Sequence, residues 1–597
     1  MHLLPKVFRS EGDVVEFDAS KIFESIMKET GMSEEEAKNV TELVVRRIIS
    51  SGIKFLSGPH IREIVCSILS ENHYEKERKL YTRIGMPLMD YEKILEKVGK
   101  STIQSVINPE KIHHWAANQL AEEYTLLRIL TDEESKAHLF GDIYIHQLKY
   151  FDLRPYEHTW DSRMILKYGI PPTDLESFSY KVKAPNNLRE ALNQLANWTG
   201  LIQNEFSGRQ TFNHLTIFLA PFVGNLSDSE IKNELKSFIY EINHLSTISG
   251  KRYLKSSLEC YPTINEQLLN VPAFGPEGKV VGIYKDYASE CLKLFECFID
   301  IFKEGDFYSN PFTYPTHNIF CTNTWLKDFH DSFLRVIEEI RSNKTPYLYN
   351  SSLFQYNNSS EHNSSVRYLN HGILQKLSIN LPRIAFLTKD ENRFIQELRQ
   401  KLNFCATILN KKYDIIEKRL STNHLPLCNS MIEGATLFQL NKQDLCIGFI
   451  GLNEAVKLLT NTTMSQSLDA YEFGLHVVNE MADVCTKLSK SHQKNFTLLE
   501  DTSERAIERF IKLDQRHFPQ ISMDFYNNST KFGENIEIDL FKKLQLQGKF
   551  HTLITHGATE IVRIEEINEL FSNNQAILDF LSEIWGNTKI KCLRFKD

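Results

Sequence analysis

The chain has 597 residues, 42% of them apolar and 24% charged, with a formal net charge of -8. That balance is ordinary for a globular protein and weighs against a nucleic-acid surface. No apolar run approaches the ~18–20 residues that cross a bilayer, so the sequence reads as a cytoplasmic protein with neither nucleic acid nor membrane as partner. The opening Met-His-Leu-Leu-Pro lacks the basic flank and apolar stretch of a signal peptide. Ten cysteines are scattered without a Cys-x-x-Cys pair. Neither a zinc ribbon nor a dithiol motif is legible, and no metal is expected.

In chain order, residues 1–95 read as a separate module. Val7 to Phe17 alternates apolar and polar residues around Glu11-Gly12-Asp13, the pattern of a hairpin with a glycine turn. Ile22, Ile26 and Met27 give Lys21–Glu29 helical spacing. A second helix covers residues 33–50, with Ser33 as cap and Glu36 three residues on. A third starts near Pro59 and carries Ile61, Val65, Ile68 and Leu69. A hairpin followed by short helices resembles the ATP-cone, a nucleotide-sensing domain. Its Val-x-Lys-Arg-Asp-Gly fingerprint becomes Val7-Phe-Arg-Ser-Glu-Gly12 here, and Phe17-Asp-Ala-Ser-Lys-Ile22 follows as in that family. The resemblance implies ATP or dATP as effector, with Val7, Arg9, Gly12, Lys21 and Arg62 as nucleotide-binding candidates. Ser10 replaces the second basic residue, which weakens the expected grip on triphosphate.

Residues 100–597 alternate helical and β-prone segments, an α/β pattern. Ile112, Trp115, Ala116, Leu120, Tyr124 and Leu127 mark a long amphipathic helix. Further helices are predicted near 284–303, 325–342, 391–420, 466–490 and 503–515. Strands are predicted over Gly141–His146, Thr216–Ala220, Leu377–Asn380, Ile447–Ile450 and Thr552–Thr555. The Asn/Ser-rich stretches 356–368 and 525–536 read as loops.

Several blocks in this part share an order with a known family. They are His138-Leu-Phe-Gly-Asp-Ile-Tyr-Ile-His146 leading to Arg154-Pro-Tyr-Glu-His-Thr-Trp-Asp161; Phe212-Asn-His-Leu-Thr-Ile-Phe-Leu-Ala-Pro221; and Gly305-Asp306 with Pro311-Phe-Thr-Tyr-Pro315. Leu377-Ser-Ile-Asn-Leu-Pro-Arg383, Gly451-Leu-Asn-Glu454, Arg509 to Asp514 and His517-Phe-Pro519 follow. Together they resemble the anaerobic (class III) ribonucleoside-triphosphate reductases, glycyl-radical enzymes that make deoxynucleotides. The resemblance implies a ten-stranded α/β barrel with helices outside and a finger loop through its centre.

The family's radical residues do not carry over. Its chemistry needs a thiol, because an S–H bond exchanges hydrogen atoms with a glycyl radical and with ribose near energetic balance. The cysteine that follows Arg-Pro-aromatic is Glu157 here, and no cysteine lies between Cys66 and Cys260. The finger-loop cysteine falls on Ser364 or Ser365, and none lies between Cys321 and Cys405. The sequence stops at Trp585–Asp597, about where the family's zinc and glycyl-radical segment would begin. The family's Gly-Gly-Gln segment is Gly250-Lys-Arg, with Ser256-Ser257 beyond. Other constellations are weaker. His138, Asp142 and His146 read as strand packing rather than metal ligands, and Glu157 and His158 on adjacent strand positions point opposite ways.

The expectation is a reductase homologue that has lost radical catalysis and serves as a nucleotide-binding or regulatory, partner-binding paralogue. It would form a homodimer or pair with an active reductase. The alternative is a working reductase, turning NTP into dNTP, completed by a separate glycyl-radical chain. A different acid–base reaction at Glu157 is a third possibility, for which the sequence names no substrate.

Overall fold

The structure is a computed structural model describing residues 6–8, 14–53, 55–82, 85, 91–92, 95, 109–173, 180–224, 226–245, 254–342, 344–353, 369–520, 523–533, 538–567, 569–570 and 573–596. The chain divides into two compact units. One is Met1–Lys100 with Trp115–Ser135, the other Ser101–His114 with Lys136–Asp597. Residues 115–135 thus group with the N-terminal unit, where the sequence reading assigned them to the larger domain.

In the first unit, β1 (Lys6–Phe8) and β2 (Val14–Glu16) pair antiparallel, as a hairpin requires. β3 (Phe55–Ser57) adds to β1 in parallel and completes a three-stranded sheet. Helix Ala19–Thr30 is capped by Asp18, whose carboxylate accepts the Ser20 N–H. Helix Glu34–Ser50 carries the expected capping box between Ser33 and Glu36. Helices Gly58–Glu71 and Glu75–Tyr81 follow. Their apolar faces enclose a core of Ile22, Ile26, Val40, Val44, Val65 and Leu69. The long amphipathic run is helix Pro109–Tyr124 followed by one π turn, Thr125–Ile129.

The second unit is built round a barrel. β4 (Ile143–Ile145), β5 (Glu157–Asp161), β6 (Gln210–Asn213) and β7 (Ser256–Cys260) come first. β8 (Pro272–Phe274) and β9 (Val280–Ile283) form a side hairpin. β10 (Thr316–Cys321), β11 (Tyr347–Asn350) and β12 (His371–Asn380) return to the barrel. β13 (Met431–Ile432) and β14 (Ala435–Thr436) make a second small hairpin. β15 (Gln443–Ile450), β16 (Asn495–Glu500), β17 (Thr559–Arg563) and β18 (Cys592–Lys596) end the series.

β5, β6, β7, β10 and β11 run parallel as one half of the barrel. β12, β15 and β16 run parallel in the other half, as do β17 and β18. The halves meet antiparallel twice, β12 with β5 and β11 with β18. A parallel bridge from Leu499 to His556, just ahead of β17, closes the ring at ten strands. β4 adds to β12 beyond β5. Parallel strands need crossovers, and helices Leu188–Ile202, Asp228–His244, Ala288–Glu304, Glu391–Ser421 and Leu468–His492 supply them. The connection between β11 and β12, where the finger loop is expected, includes residues 354–368, which lie outside the described residues.

Two strand expectations fail for identifiable reasons. Thr216–Ala220 is β-branched and aromatic, yet Leu215–Leu219 is a short helix. His214 takes the left-handed conformation (φ 48°) and turns the chain out of β6. A fully buried five-residue run has no periodicity to separate the two readings. Thr552 and Leu553 belong to helix Leu540–Leu553; Ile554 is extended, and the Thr555 and His556 N–H groups donate to the Leu498 carbonyl of β16. The helix predicted near 325–342 is two, Asn323–Asp328 and His330–Arg341, broken at Phe329.

Candidate functional site

The sequence blocks meet at one end of the barrel. Asn380 caps helix Leu381–Thr388 by accepting the Arg383 N–H (3.2 Å) and donates to the Asp514 carboxylate (2.8 Å). The Arg383 Nε donates to the same carboxylate at 2.6 Å, and Tyr526 donates to it at 2.8 Å. Arg383 also pairs with Asp142 (3.0 Å), which accepts from Lys401 (3.1 Å). These charges are paired, Arg383 and Asp514 in the interior and Asp142 and Lys401 nearer the surface, an arrangement that holds strands and helices in register.

One step along β12, His146 Nε2 lies 2.9 Å from Asp501 Oδ2 and 3.0 Å from Ser378 Oγ. Ser378 donates to the same Asp501 oxygen at 2.5 Å, and Lys376 Nζ lies 3.4 Å from its other oxygen. Burial opposes the Asp501 charge, but Lys376, His146 and Ser378 hold its pKa well below the ordinary carboxylate range. Burial lowers the pKa of His146 despite that carboxylate. Because serine and histidine share one carboxylate oxygen, this is a clamp and not a nucleophile–base–orienter relay.

The barrel mouth carries a further set of charges. The register pairs His158 with Gln210 and Gln210 with Ser256. One residue earlier, Glu157, Arg209 and Lys255 therefore stand side by side on adjacent strands. Lys376 approaches from β12, with Nζ 5.5 Å from the centre of the Tyr156 ring. Burial opposes the Arg209 charge, but Glu157 and the phenols of Tyr349, Tyr347 and Tyr314 raise its pKa. Burial lowers the Lys255 pKa; Glu157 works against that, and Arg209, Lys376 and Arg505 reinforce it. Deeper along the same half, Tyr261, Phe320 and Tyr349 stack with ring centres 4.7 and 4.8 Å apart, and His214 stacks on Tyr261 at 4.7 Å. Glu259 lies among them, its pKa pushed up to about 8 by burial.

The residues singled out from sequence are distributed as follows. Glu157 is at the start of β5, half-buried, and His158 is buried on the opposite side against Trp160 and Phe206. His138 accepts the Ile145 N–H, so His138, Asp142 and His146 serve three different partners. Ser364 and Ser365 lie outside the described residues, as do Arg9 and Gly12. Val7 is in β1, and Lys21 is exposed in the first turn of helix Ala19–Thr30. Arg62 pairs with Glu29 (2.7 Å) near the other end of that helix and lies 4.3 Å from the Tyr81 ring centre. Eight residues of helix separate Lys21 from Glu29, about 12 Å of rise, so Arg62 and Lys21 attend different ends. Arg62 also lines a groove of about 340 Å³ with Lys79, Thr82, Tyr124, Leu127 and Arg128. Sequence reasoning missed Arg209, Lys255, Lys376 and Arg505. The available signal was a lone cation beside or within an otherwise apolar strand, as Lys376 is in Leu374-Gln-Lys-Leu-Ser378.

Comparison with known proteins adds the following. The family model described as anaerobic ribonucleoside-triphosphate reductase matches residues 103–597. The anaerobic ribonucleoside-triphosphate reductase of Haemophilus influenzae is 20% identical over 485 residues, which cover 74% of this chain and 66% of that relative. The chain thus spans just under two thirds of that relative's length. Among solved structures, the anaerobic ribonucleotide reductase from Thermotoga maritima in complex with dATP and CTP superposes with a TM-score of 0.70 at 17% identity, covering 85% of this chain and 86% of that one. Hydroxyproline dehydratase from Clostridioides difficile reaches 0.52 at 10% identity over 99% and 91% of the two chains. At these identities the solved structures speak to the fold alone.

Proposed function

The chain belongs to the anaerobic ribonucleoside-triphosphate reductase family, and on that premise we propose that it is a paralogue that has given up radical catalysis and works as a nucleotide-binding regulator. The carrying observation is Glu157 at the head of β5, beside Arg209 and Lys255, where the family resemblance places a thiol. A carboxylate has no weak X–H bond to exchange with a radical. The stretch between Cys321 and Cys405, which contains the β11–β12 connection, likewise has no cysteine. The scaffold motifs are kept for stability, as the Arg383–Asp514–Asn380 cluster illustrates.

The ligand class is supported by the Thermotoga maritima relative, which was solved with dATP and CTP. ATP or dATP is the proposed effector of the N-terminal unit, with Val7, Arg9, Gly12, Lys21 and Arg62 as the proposed contacts. The proposed protein partner is a second copy or an active reductase.

A second reading, a working reductase completed by another chain, draws on one observation. Cys446 lies opposite Lys376 on β15, its thiol 3.3 Å from Thr497 Oγ1. Burial above all, then the charges of Asp444 and Glu157, raise its pKa against Thr497 and Lys376, and it stands on a different strand from the family's position.

The deciding experiment is calorimetric titration of the full chain with ATP and dATP, alongside a deoxynucleotide assay with reductant and a glycyl-radical partner. The proposal expects saturable nucleotide binding, abolished in Arg9→Ala/Lys21→Ala, and no deoxynucleotide. Deoxynucleotide formation that disappears in Cys446→Ser would replace it with the second reading.

A further inference from the structure

We infer that the groove between helices Leu381–Thr388 and Glu391–Ser421 binds a small zwitterion on an apolar body, with Arg393 taking its carboxylate and Glu397 its ammonium. This is the chemistry of a free apolar amino acid or of a short apolar peptide. Such a site needs neither the N-terminal unit nor the barrel interior, so it stands apart from the regulatory reading above.

Local structure places the two charges. Thr388 ends the first helix, and Lys389 takes the left-handed conformation (φ 54°). Asp390 then caps the second helix by accepting the Arg393 N–H at 2.9 Å, which fixes where that helix starts. Arg393, Glu397 and Lys401 follow at four-residue spacing along one face. A cavity of about 510 Å³ opens against that face, with Ile384 and Leu387 as its apolar wall. Its size falls within the roughly 300–1,000 Å³ of small-molecule pockets.

Charge decides the ligand class. Lys401 stands four residues after Glu397, the order that helix ion pairs favour, yet its ammonium crosses the groove to Asp142 (3.1 Å). Asp142 also pairs with Arg383 (3.0 Å), whose Nε donates to Asp514 at 2.6 Å. The inner charges are therefore paired with one another. Among the described residues, the side chains of Arg393, Gln396 and Glu397 have no hydrogen-bond or ion-pair partner. One cation and one anion are left facing the cavity, about 6 Å apart along the helix axis. A net anion is opposed by Glu397 and a net cation by Arg393, whereas a dipolar ligand satisfies both.

The wall decides the body. Leu387 is 62% exposed on the groove, one turn after the buried Ile384. An aliphatic ligand side chain removes that apolar surface from water, which a bare ion does not. Gln396 adds an amide that both donates and accepts, matching a ligand carboxylate or a peptide bond.

The test is calorimetric titration of the full chain with leucine, leucyl-leucine, N-acetyl-leucine and leucinamide, on the wild type, Arg393→Gln and Glu397→Gln. Both positions are exposed on a helix and glutamine is a good helix former, so both variants retain the fold, which melting curves check. Saturable binding of leucine or leucyl-leucine is expected, weakened about tenfold by either substitution and by blocking either end of the ligand. N-acetyl-leucine, which has no ammonium, is expected not to weaken further in Glu397→Gln. Tighter binding of leucyl-leucine than of leucine assigns the groove to peptides, and the reverse order assigns it to free amino acids. No saturable binding of either zwitterion overturns the inference. So does N-acetyl-leucine binding as tightly as leucine, or leucine binding that tightens in Glu397→Gln, the mark of a plain anion site. Nucleotide binding that depends on Arg9 and Lys21 is independent of all these outcomes, so the two readings fail separately.

Discussion

Lys412 is fully buried in helix Glu391–Ser421, and its ammonium donates to the carbonyls of Tyr150 (2.9 Å), Phe151 (2.8 Å) and Arg154 (2.6 Å). Those carbonyls belong to the turn that delivers the chain into β5, so one side chain sets where Glu157 begins. Lys412→Met leaves three inward carbonyls without a donor and is expected to cost about 2–4 kcal/mol in urea unfolding. Glu259 gives a pH signature. Burial raises its pKa from 4.5 to about 8. Between those values the folded state holds a proton that the unfolded state has released, so this group's contribution to stability falls as pH rises and levels off above 8. Glu259→Gln removes the fall. Relative to wild type, the variant should gain about 1–3 kcal/mol near pH 9 and almost nothing near pH 4. An equal gain at both would mean that Glu259 is not protonated in the fold.

Among the elements, the Gly451 turn shows how two sequence blocks depend on each other. Gly451 has φ 78°, and a Cβ there would lie 2.4 Å from Pro382 Cγ, in the Leu-Pro-Arg block. Glu454 of the same turn accepts the Asn527 N–H at 3.1 Å. Gly451→Ala combines a left-handed backbone with a clash against a rigid ring, and is expected to cost about 2–4 kcal/mol. Pro382→Ala should recover part of that loss in a double-mutant cycle, measured by thermal melting. These elements were largely legible beforehand. The Ser33–Glu36 capping box, the hairpin partners β1 and β2, and the helices over 391–421 and 468–492 carry local signals. Leu215–Leu219 was not, because a short apolar run next to a left-handed His214 takes its form from what it packs against.

Over the whole molecule, the N-terminal unit owns a core of its own, with Ile26 and Val44 completely buried. Two separate cores predict two calorimetric transitions. Ile26→Ala should lower one of them, by about 2–5 kcal/mol in that unit's stability. A single transition displaced as a whole would show that the units unfold together. The barrel gathers its charges by closure. Glu157, Arg209, Lys255 and Lys376 are spread over about 220 positions of sequence, and they lie at one end of the barrel because the two parallel half-barrels meet antiparallel at β5–β12.

The sequence by itself determined the family and the α/β alternation. Motif order and residue identity are written in the chain and need no geometry. Tertiary structure decided what those motifs do. It turned Asn380, Arg383, Asp514 and Tyr526 into one closed hydrogen-bonded cluster. It also assembled a cationic mouth from single charges that no local pattern connects. Strand register across a closed barrel is a long-range property, and no window of sequence contains both sides of it.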